Sequence, residues 1–198
     1  DLRGREIGMV FQNPRAALNP IRSIGRQLED VLRRHHAIRA QDLRERAIAC
    51  LREVAIADPE RRFDAYPFEL SGGMCQRVAL AMALACKPDV LIADEPTTAL
   101  DVGVQARILL LLKRRNRETG LPIILITHDI GVVAAMATRV LVMYGGHVQE
   151  EAGVADLLDQ PLHPYTRALI AAMPDPDAPP GDRSFICLLY TSDAADDL

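Results

Sequence analysis

Apolar positions along the chain fall into short blocks whose spacing changes character as the chain proceeds. Ile7 to Phe11 is a compact apolar run ending in Gln12-Asn13-Pro14, the punctuation of a strand running into a loop. Ile21, Ile24, Leu28, Val31 and Leu32, and then Leu43, Ala47, Leu51 and Val54, recur at helical spacing beside Arg- and Glu-rich positions. This spacing predicts two amphipathic helices. Pro59, Pro67 and the aromatics Phe63, Tyr66 and Phe68 predict a loop ahead of Leu70-Ser71-Gly72-Gly73.

From there the pattern alternates. It predicts a helix through Val78 to Cys86, a strand at Val90 to Ala93, a helix from about Val104 to Glu118, a strand at Ile123 to Ile126 and a helix from Ile130 to Ala137. That is the rhythm of βαβ units on a parallel sheet, so the fold class is α/β. Val140 to Tyr144, Gly145-Gly146 and His147 to Glu151 read as a hairpin whose turn requires positive φ. Short helices are expected around Val154 to Leu158 and Tyr165 to Ala172, and beyond Met173 the Pro- and Asp-rich composition suggests a linker or frayed end. No internal repeat is present.

Composition narrows the class. The 198 residues are 49% hydrophobic and 25% charged, the values of a globular chain able to bury a core. A net charge of −4 provides no uniform positive field to hold phosphate backbone, so nucleic acid is not expected as a partner. The longest apolar run, Val78 to Cys86, is less than half of the roughly 20 residues a spanning helix needs. Cys50, Cys75, Cys86 and Cys187 show no paired C-x-x-C spacing, which fits a reducing compartment better than a disulfide framework or zinc site. Asp1 in place of Met, with no apolar leader behind it, suggests a piece of a longer chain.

Three places carry candidate chemistry. Asp94 and Glu95 end a buried strand, where open α/β sheets place their ligands, and two adjacent carboxylates there suit a bound cation or a tuned base. In nucleotide hydrolases the first such carboxylate holds Mg²⁺ and the next orients or deprotonates water. Alone, the pair is equally a solvated loop start. Ser71-Gly72-Gly73 precedes a helix, so Ser71 can cap it while the glycines let N–H groups approach an anion. An ordinary cap and turn has the same pattern. His128, in Ile126-Thr127-His128-Asp129, follows another strand and by itself reads as a surface histidine.

The combination is more specific than its parts. Gln12, then Leu70-Ser71-Gly72-Gly73-Met74-Cys75-Gln76-Arg77, Asp94-Glu95-Pro96, Ala99-Leu100-Asp101 and His128 occur in one order with short gaps. This resembles the nucleotide-binding domain of ABC transporters, with Q-loop, signature, Walker B, D-loop and H-loop in sequence, over residues 1 to about 175. Phe11-Gln12-Asn13-Pro14, Leu18-Asn19-Pro20, Pro96 to Val102 with Gln105, and Pro161-Leu162-His163-Pro164-Tyr165-Thr166 narrow the resemblance to ATP-binding subunits of oligopeptide, dipeptide and nickel importers. From the residues themselves, His163-Pro164-Tyr165-Thr166 reads only as a helix start with Pro in its first turn.

The resemblance implies a P-loop NTPase-like parallel sheet with a helical subdomain at about 20–90, incomplete at its N-terminus. It divides the chain into a partial nucleotide-binding domain at 1–158, an importer-type extension at 159–183 and a tail at 184–198 of unassigned or foreign origin. The cofactors implied are ATP and Mg²⁺. Glu95 would be the base or water-orienting carboxylate, His128 would contact the γ-phosphate, and Asp94 would hold the metal. Gln12 would reach metal and water. Ser71, Gly72 and Gly73, within the signature that includes Gln76, would clamp ATP held by the opposite subunit, with Asp101 at the dimer seam. The partners implied are a second ABC ATPase subunit, homo- or heterodimeric, transmembrane permease subunits and, indirectly, an extracytoplasmic solute-binding protein. The place implied is the cytoplasmic face of a bacterial or archaeal membrane. A soluble ABC-type ATPase of DNA repair or translation shares the signature and Walker B; the acidic balance and the His-Pro-Tyr-Thr segment favour the importer.

Two departures stand out. No G-x-x-x-x-G-K-[ST] occurs, the only lysines being Lys87 and Lys113, so the phosphate-cradling loop is expected upstream of Asp1 and the chain by itself is expected to be inactive. Cys75 stands where the family usually has a basic residue, which puts the local electrostatics in question.

Overall fold

The computed structural model describes residues 2–172 apart from 37 and 99; the expected tail at 184–198, with Cys187, lies outside the described residues. The chain forms two compact units, 1–127 and 128–198.

The first unit is built on three parallel strands, β1 (Ile7–Val10), β2 (Val90–Asp94) and β3 (Ile123–Ile126), in the order β1-β2-β3. Register pairs Val10 with Ala93 and Asp94 with Ile126, so all three strands leave the sheet at one edge. The row containing Val10 and Ala93 is buried, whereas Met9 and Ile124 on the alternate face are 40% and 54% exposed. On the covered side, β1 lies against the helix at Gly72–Ala85, whose Ala83 carbonyl is 3.0 Å from where a Cβ on Gly8 would stand.

Helices fill the sequence between β1 and β2: α1 (Pro14–Ala17), α2 (Ile24–His35), α3 (Leu43–Glu53), α4 (Pro59–Arg62) and α5 (Gly72–Ala85). The expected amphipathic periodicity is realised from Ile24 onward, since Ile24, Leu28, Leu32, Ala47, Leu51 and Val78 are buried in one cluster with Phe63 and Leu70, whereas Ile21 precedes α2 and is 82% exposed. The Arg44 guanidinium stacks 4.0 Å over the Phe63 ring. The region expected to be a loop before Leu70 is more ordered than its prolines suggest. Pro59 starts α4, where its missing N–H costs nothing. Pro67–Glu69 forms a 3₁₀ turn in which the Glu69 carboxylate accepts the Tyr66 N–H at 2.7 Å. The expected helix at Val78 begins earlier, at Gly72, because Ser71 caps it. After β2, α6 (Val102–Thr119) leads to β3 and ends at Gly120 in the left-handed region.

The second unit contains α7 (Ile130–Met136), the antiparallel strands β4 (Arg139–Tyr144) and β5 (His147–Gly153), α8 (Val154–Asp159) and α9 (Pro164–Ala171). The expected positive-φ turn is present, with Gly145 at 56° and Gly146 at 83°. Pro164 is in the first turn of α9, as expected, and His163 Nδ1 accepts the Tyr165 N–H at 3.1 Å. Glu150 on β5 fastens this helix start by accepting the Leu162 and His163 N–H groups at 2.8 and 3.1 Å. The Tyr165 ring lies 4.9 Å from that of Tyr144, and Thr166 is fully buried.

Burial alone pushes the Glu150 carboxyl up, but the Thr166 hydroxyl and the Leu162 and His163 N–H donors together hold it below its ordinary value of 4.5. A carboxyl with a depressed folded pKa contributes stability that is complete above the unfolded value and is lost as pH falls through the folded one. Hydrogen exchange of α9 amides, corrected for intrinsic rate, is therefore expected to show a loss of protection as pH falls below about 5 that is absent from Glu150→Gln. Glu150→Gln should be less protected above that range and converge with the wild type at low pH, and equal protection at neutral pH would contradict the clamp.

Candidate functional site

Parallel register brings the ends of β1 and β2 together, and with them two residues distant in sequence. Gln12, just past β1, donates from Nε2 to Glu95 Oε2 at 2.8 Å, and Thr98 Oγ1 lies 2.9 Å from the same oxygen. The carboxylate expected at the strand end is thus held from both sides. Its backbone is also set: Glu95 has φ 45°, and its N–H donates to the Ile126 carbonyl of β3 at 2.9 Å. A non-glycine residue in the left-handed region costs about 1–2 kcal/mol, and such local strain concentrates where side-chain direction matters. Asp94, the last residue of β2, is half-buried and paired in register with Ile126.

Thr98 carried no role in the sequence reading. Its position in Pro96-Thr97-Thr98 was visible, but a hydroxyl returning to a carboxylate three residues earlier requires the tight turn that the left-handed Glu95 creates, with the Thr98 N–H on the Glu95 carbonyl at 3.2 Å. Thr97 instead is buried.

The signature segment forms the start of α5 in the same unit. Ser71 caps it, its Oγ accepting the Met74 N–H at 3.3 Å, and Ser71 and Gly72 are exposed. The two glycines differ. A Cβ on Gly72 would meet nothing within 4 Å, whereas one on Gly73 would lie 2.8 Å from Val104 Cγ1 in the first turn of α6. Gly73 is a close-packing glycine, and Gly72 is the open one. Gln76 is buried at 3% exposure, with no partner for its Nε2 among the described residues. Arg77 donates to the Ala55 carbonyl at 2.7 Å and the Gly73 carbonyl at 3.3 Å, tying the signature helix to the end of α3. Burial, then repulsion from Arg107, lowers its pKa against the pull of Asp101. Asp101 is exposed and caps α6, accepting the Val104 N–H at 2.9 Å.

Among the predicted site residues, Gln12 and Glu95 are joined directly, and Asp94 adjoins Glu95 in the chain. Ser71, Gly72, Gly73 and Gln76 form one helix start, with Gly73 against the turn that Asp101 caps. His128 is the first residue of the second unit and is exposed; Asp129 beside it caps α7 through the Gly131 N–H at 2.8 Å. No three His, Cys, Asp or Glu among the described residues form a cage able to hold a metal unaided. The unit also contains an apolar cavity of about 670 Å³ lined in part by Phe11, Leu18, Val31 and Met82, immediately before Gln12.

The unequal surroundings of the two glycines give a direct test. Gly73→Ala should lower stability by about 1–3 kcal/mol through overpacking against Val104. Gly72→Ala should stay within about 0.5 kcal/mol of the parent. Urea unfolding of both variants would check this, and equal effects would contradict the assignment.

Comparisons with known proteins give the family. A family model described as ABC transporter matches residues 1–98, and one described as oligopeptide/dipeptide transporter, C-terminal region, matches residues 149–185. A probable peptide ABC transporter ATP-binding protein of Sinorhizobium fredii is 50% identical over 175 residues, covering 88% of this chain and 52% of that relative. A dipeptide transport ATP-binding protein of Bacillus subtilis is 50% identical over 173 residues, covering 87% of this chain and 52% of its own length. The chain thus spans about half the length of the curated relatives it matches. A dimeric ATP-binding cassette solved in a post-hydrolysis state with ADP and Pi superposes with a TM-score of 0.68 at 35% identity, over 76% of this chain and 64% of that one. A subunit of an ABC transporter complex from Clostridium perfringens gives 0.67 at 31%, over 79% and 60%. The parallel sheet, the capped signature helix and these matches agree: the chain has the fold of an ATP-binding cassette and belongs to the ABC transporter family, among the members that carry the oligopeptide/dipeptide transporter C-terminal region.

Proposed function

We propose that this chain is part of the ATP-hydrolysing subunit that powers an importer of peptides, or of nickel, working at the cytoplasmic face of the membrane beneath permease subunits. The observation that carries the reading is the Glu95 carboxylate fixed between Gln12 and Thr98 at the strand edge. A carboxylate held in one orientation there suits a group that takes a proton from, or aligns, a water attacking a terminal phosphate. The peptide names of the relatives and the C-terminal region support the importer over a soluble ATPase of DNA repair or translation.

The donor set fits Mg²⁺. Asp94 supplies a carboxylate, and Gln12, whose Nε2 is engaged with Glu95, supplies an amide oxygen. Two hard oxygens suit an ion that draws its remaining ligands from phosphate and water. When bound, Mg²⁺ would neutralise charge on the β- and γ-phosphate oxygens. Gln12 would then serve through two atoms: its amide nitrogen holds Glu95, and its oxygen would be available to hold the cation. His128 would donate to the γ-phosphate.

Ser71 and Gly72 present a helix N-terminus to a phosphate held by a second ATPase subunit, homo- or heterodimeric, with Gly73 letting α5 pack against α6 and Gln76 buried behind. Asp101 would stand at the seam between subunits. The apolar cavity beside Phe11 and the helical segment between Pro20 and Glu69 suit contact with a permease, so that Gln12 passes nucleotide state outward. A solute-binding protein outside the membrane would act on the permeases, and no nucleic acid is called for. No helix among the described residues is long and apolar enough to cross a membrane.

Since the 198 residues contain no G-x-x-x-x-G-K-[ST], they should turn over no ATP alone. Joined to a segment that supplies this loop, the subunit should hydrolyse MgATP. Glu95→Gln should then lower kcat by about 10²-fold or more while leaving ATP binding in place. Wild-type turnover in Glu95→Gln, or turnover by the 198 residues alone, would overturn the assignment.

A further inference from the structure

The sheet edge opposite Glu95 holds a second cavity. Pro88 and Asp89 ahead of β2, and Leu121 and Pro122 ahead of β3, line a space of about 650 Å³, a volume suited to a small molecule. The length of β2, about 13 Å, separates this edge from Asp94. Three basic side chains from three segments line the same space: Arg46 on α3, Lys87 in the turn after α5 and Arg115 on α6.

These cations are incompletely matched. Glu53 pairs with Arg115 and stands 3.8 Å from Arg46, so one carboxylate serves two guanidinium groups. Arg115 Nε is buried and has no partner among the described residues. A further acceptor would relieve that arrangement, because a buried donor left unmet is costly. The Lys87 ammonium has no ion pair among the described residues. Lys87 also has φ 52°, one residue past the Cys86 cap of α5, where glycine is the usual occupant. Glycine would close that helix without strain, so what the lysine adds is its charge.

α3, α5 and α6 all end beside the cavity, and basic side chains suit the carbonyl ends of helices. That accounts for positive charge here, but not for a lysine in glycine's place or for two arginines on one carboxylate. Asp89, exposed on the same lining, and the carbonyl ends oppose a ligand with a single negative charge. A ligand has to bring two charges, one for Lys87 and one for the arginine pair, and carbon to cover Leu84, Leu121 and Pro122. We infer that this cavity is a binding site for a small organic dianion, a dicarboxylate or a phosphate monoester, held by Lys87, Arg46 and Arg115. The site stands apart from the proposed ATPase reading, since none of its residues is at the edge that carries Gln12 and Glu95.

Thermal unfolding of the 198-residue chain at fixed ionic strength tests it, with succinate and glycerol 3-phosphate as dianions and acetate as the singly charged control. At least one dianion should raise the midpoint saturably, and acetate should not; the dianion that acts distinguishes carboxylate from phosphate ester. Lys87→Gln and Arg46→Gln should each weaken the apparent affinity tenfold or more. Lys87 is exposed, so its replacement leaves the core undisturbed. Arg61→Gln, which removes the same charge from an exposed position on α4, should leave the affinity unchanged. In amide NMR, Gly120 and Leu121 should shift at the same ligand concentrations while Gly72, at the far end of α5, stays still. No saturable response to either dianion, an equal response to acetate, unaltered affinity in Lys87→Gln, or shifts at Gly72 in place of Gly120 and Leu121 would overturn the site.

Discussion

Parallel pairing of β1, β2 and β3 in one register is the constraint on which the site depends. Parallel strands leave a sheet at a common edge, so residues just past their ends become neighbours however far apart they are in sequence. Gln12 and Glu95 are separated by 83 positions and meet at 2.8 Å because Val10 is opposite Ala93. The Glu95 N–H then bonds to the last residue of β3. A slip of one residue in β2 would turn Glu95 to the other face and separate it from Gln12.

The same edge is where the chain departs from relaxed geometry. Glu95 adopts a left-handed backbone that a glycine would take without cost. In return its carboxylate is directed to Gln12 and Thr98, whose donors fix its orientation. Backbone strain and a fixed side-chain direction go together here, a common balance at functional sites.

Much of this could be read from the chain because local chemistry dictates it. Ser71 before two glycines is a cap, Gly145-Gly146 is a positive-φ turn, and apolar runs at 90–94 and 123–126 are strands; each follows from a few adjacent residues. What stayed hidden depends on tertiary reach. Pro59 and Pro67 looked like loop residues because a helix start and a loop share prolines; the capping by Glu69 marks the turn at Pro67, and no side-chain cap marks the helix at Pro59. Gly72 and Gly73 are identical in sequence, and the difference between them comes from Val104 on another helix. Cys75 read as a lost charge, and its burial, with the thiol on the Pro67 carbonyl, is something no local pattern announces. Thr98 had a visible position but no visible duty, since that duty arises from the backbone of Glu95.

The central claim is that Gln12 and Glu95 act as one unit. Side-chain amide NMR of Gln12 in the 198-residue chain tests it most directly. If the 2.8 Å bond exists in solution, the Gln12 Nε2–H resonances must follow protonation of the Glu95 carboxyl on acidification, and that response must vanish in Glu95→Gln. Gln12 amide resonances that ignore acidification, or that respond equally in Glu95→Gln, would contradict the account.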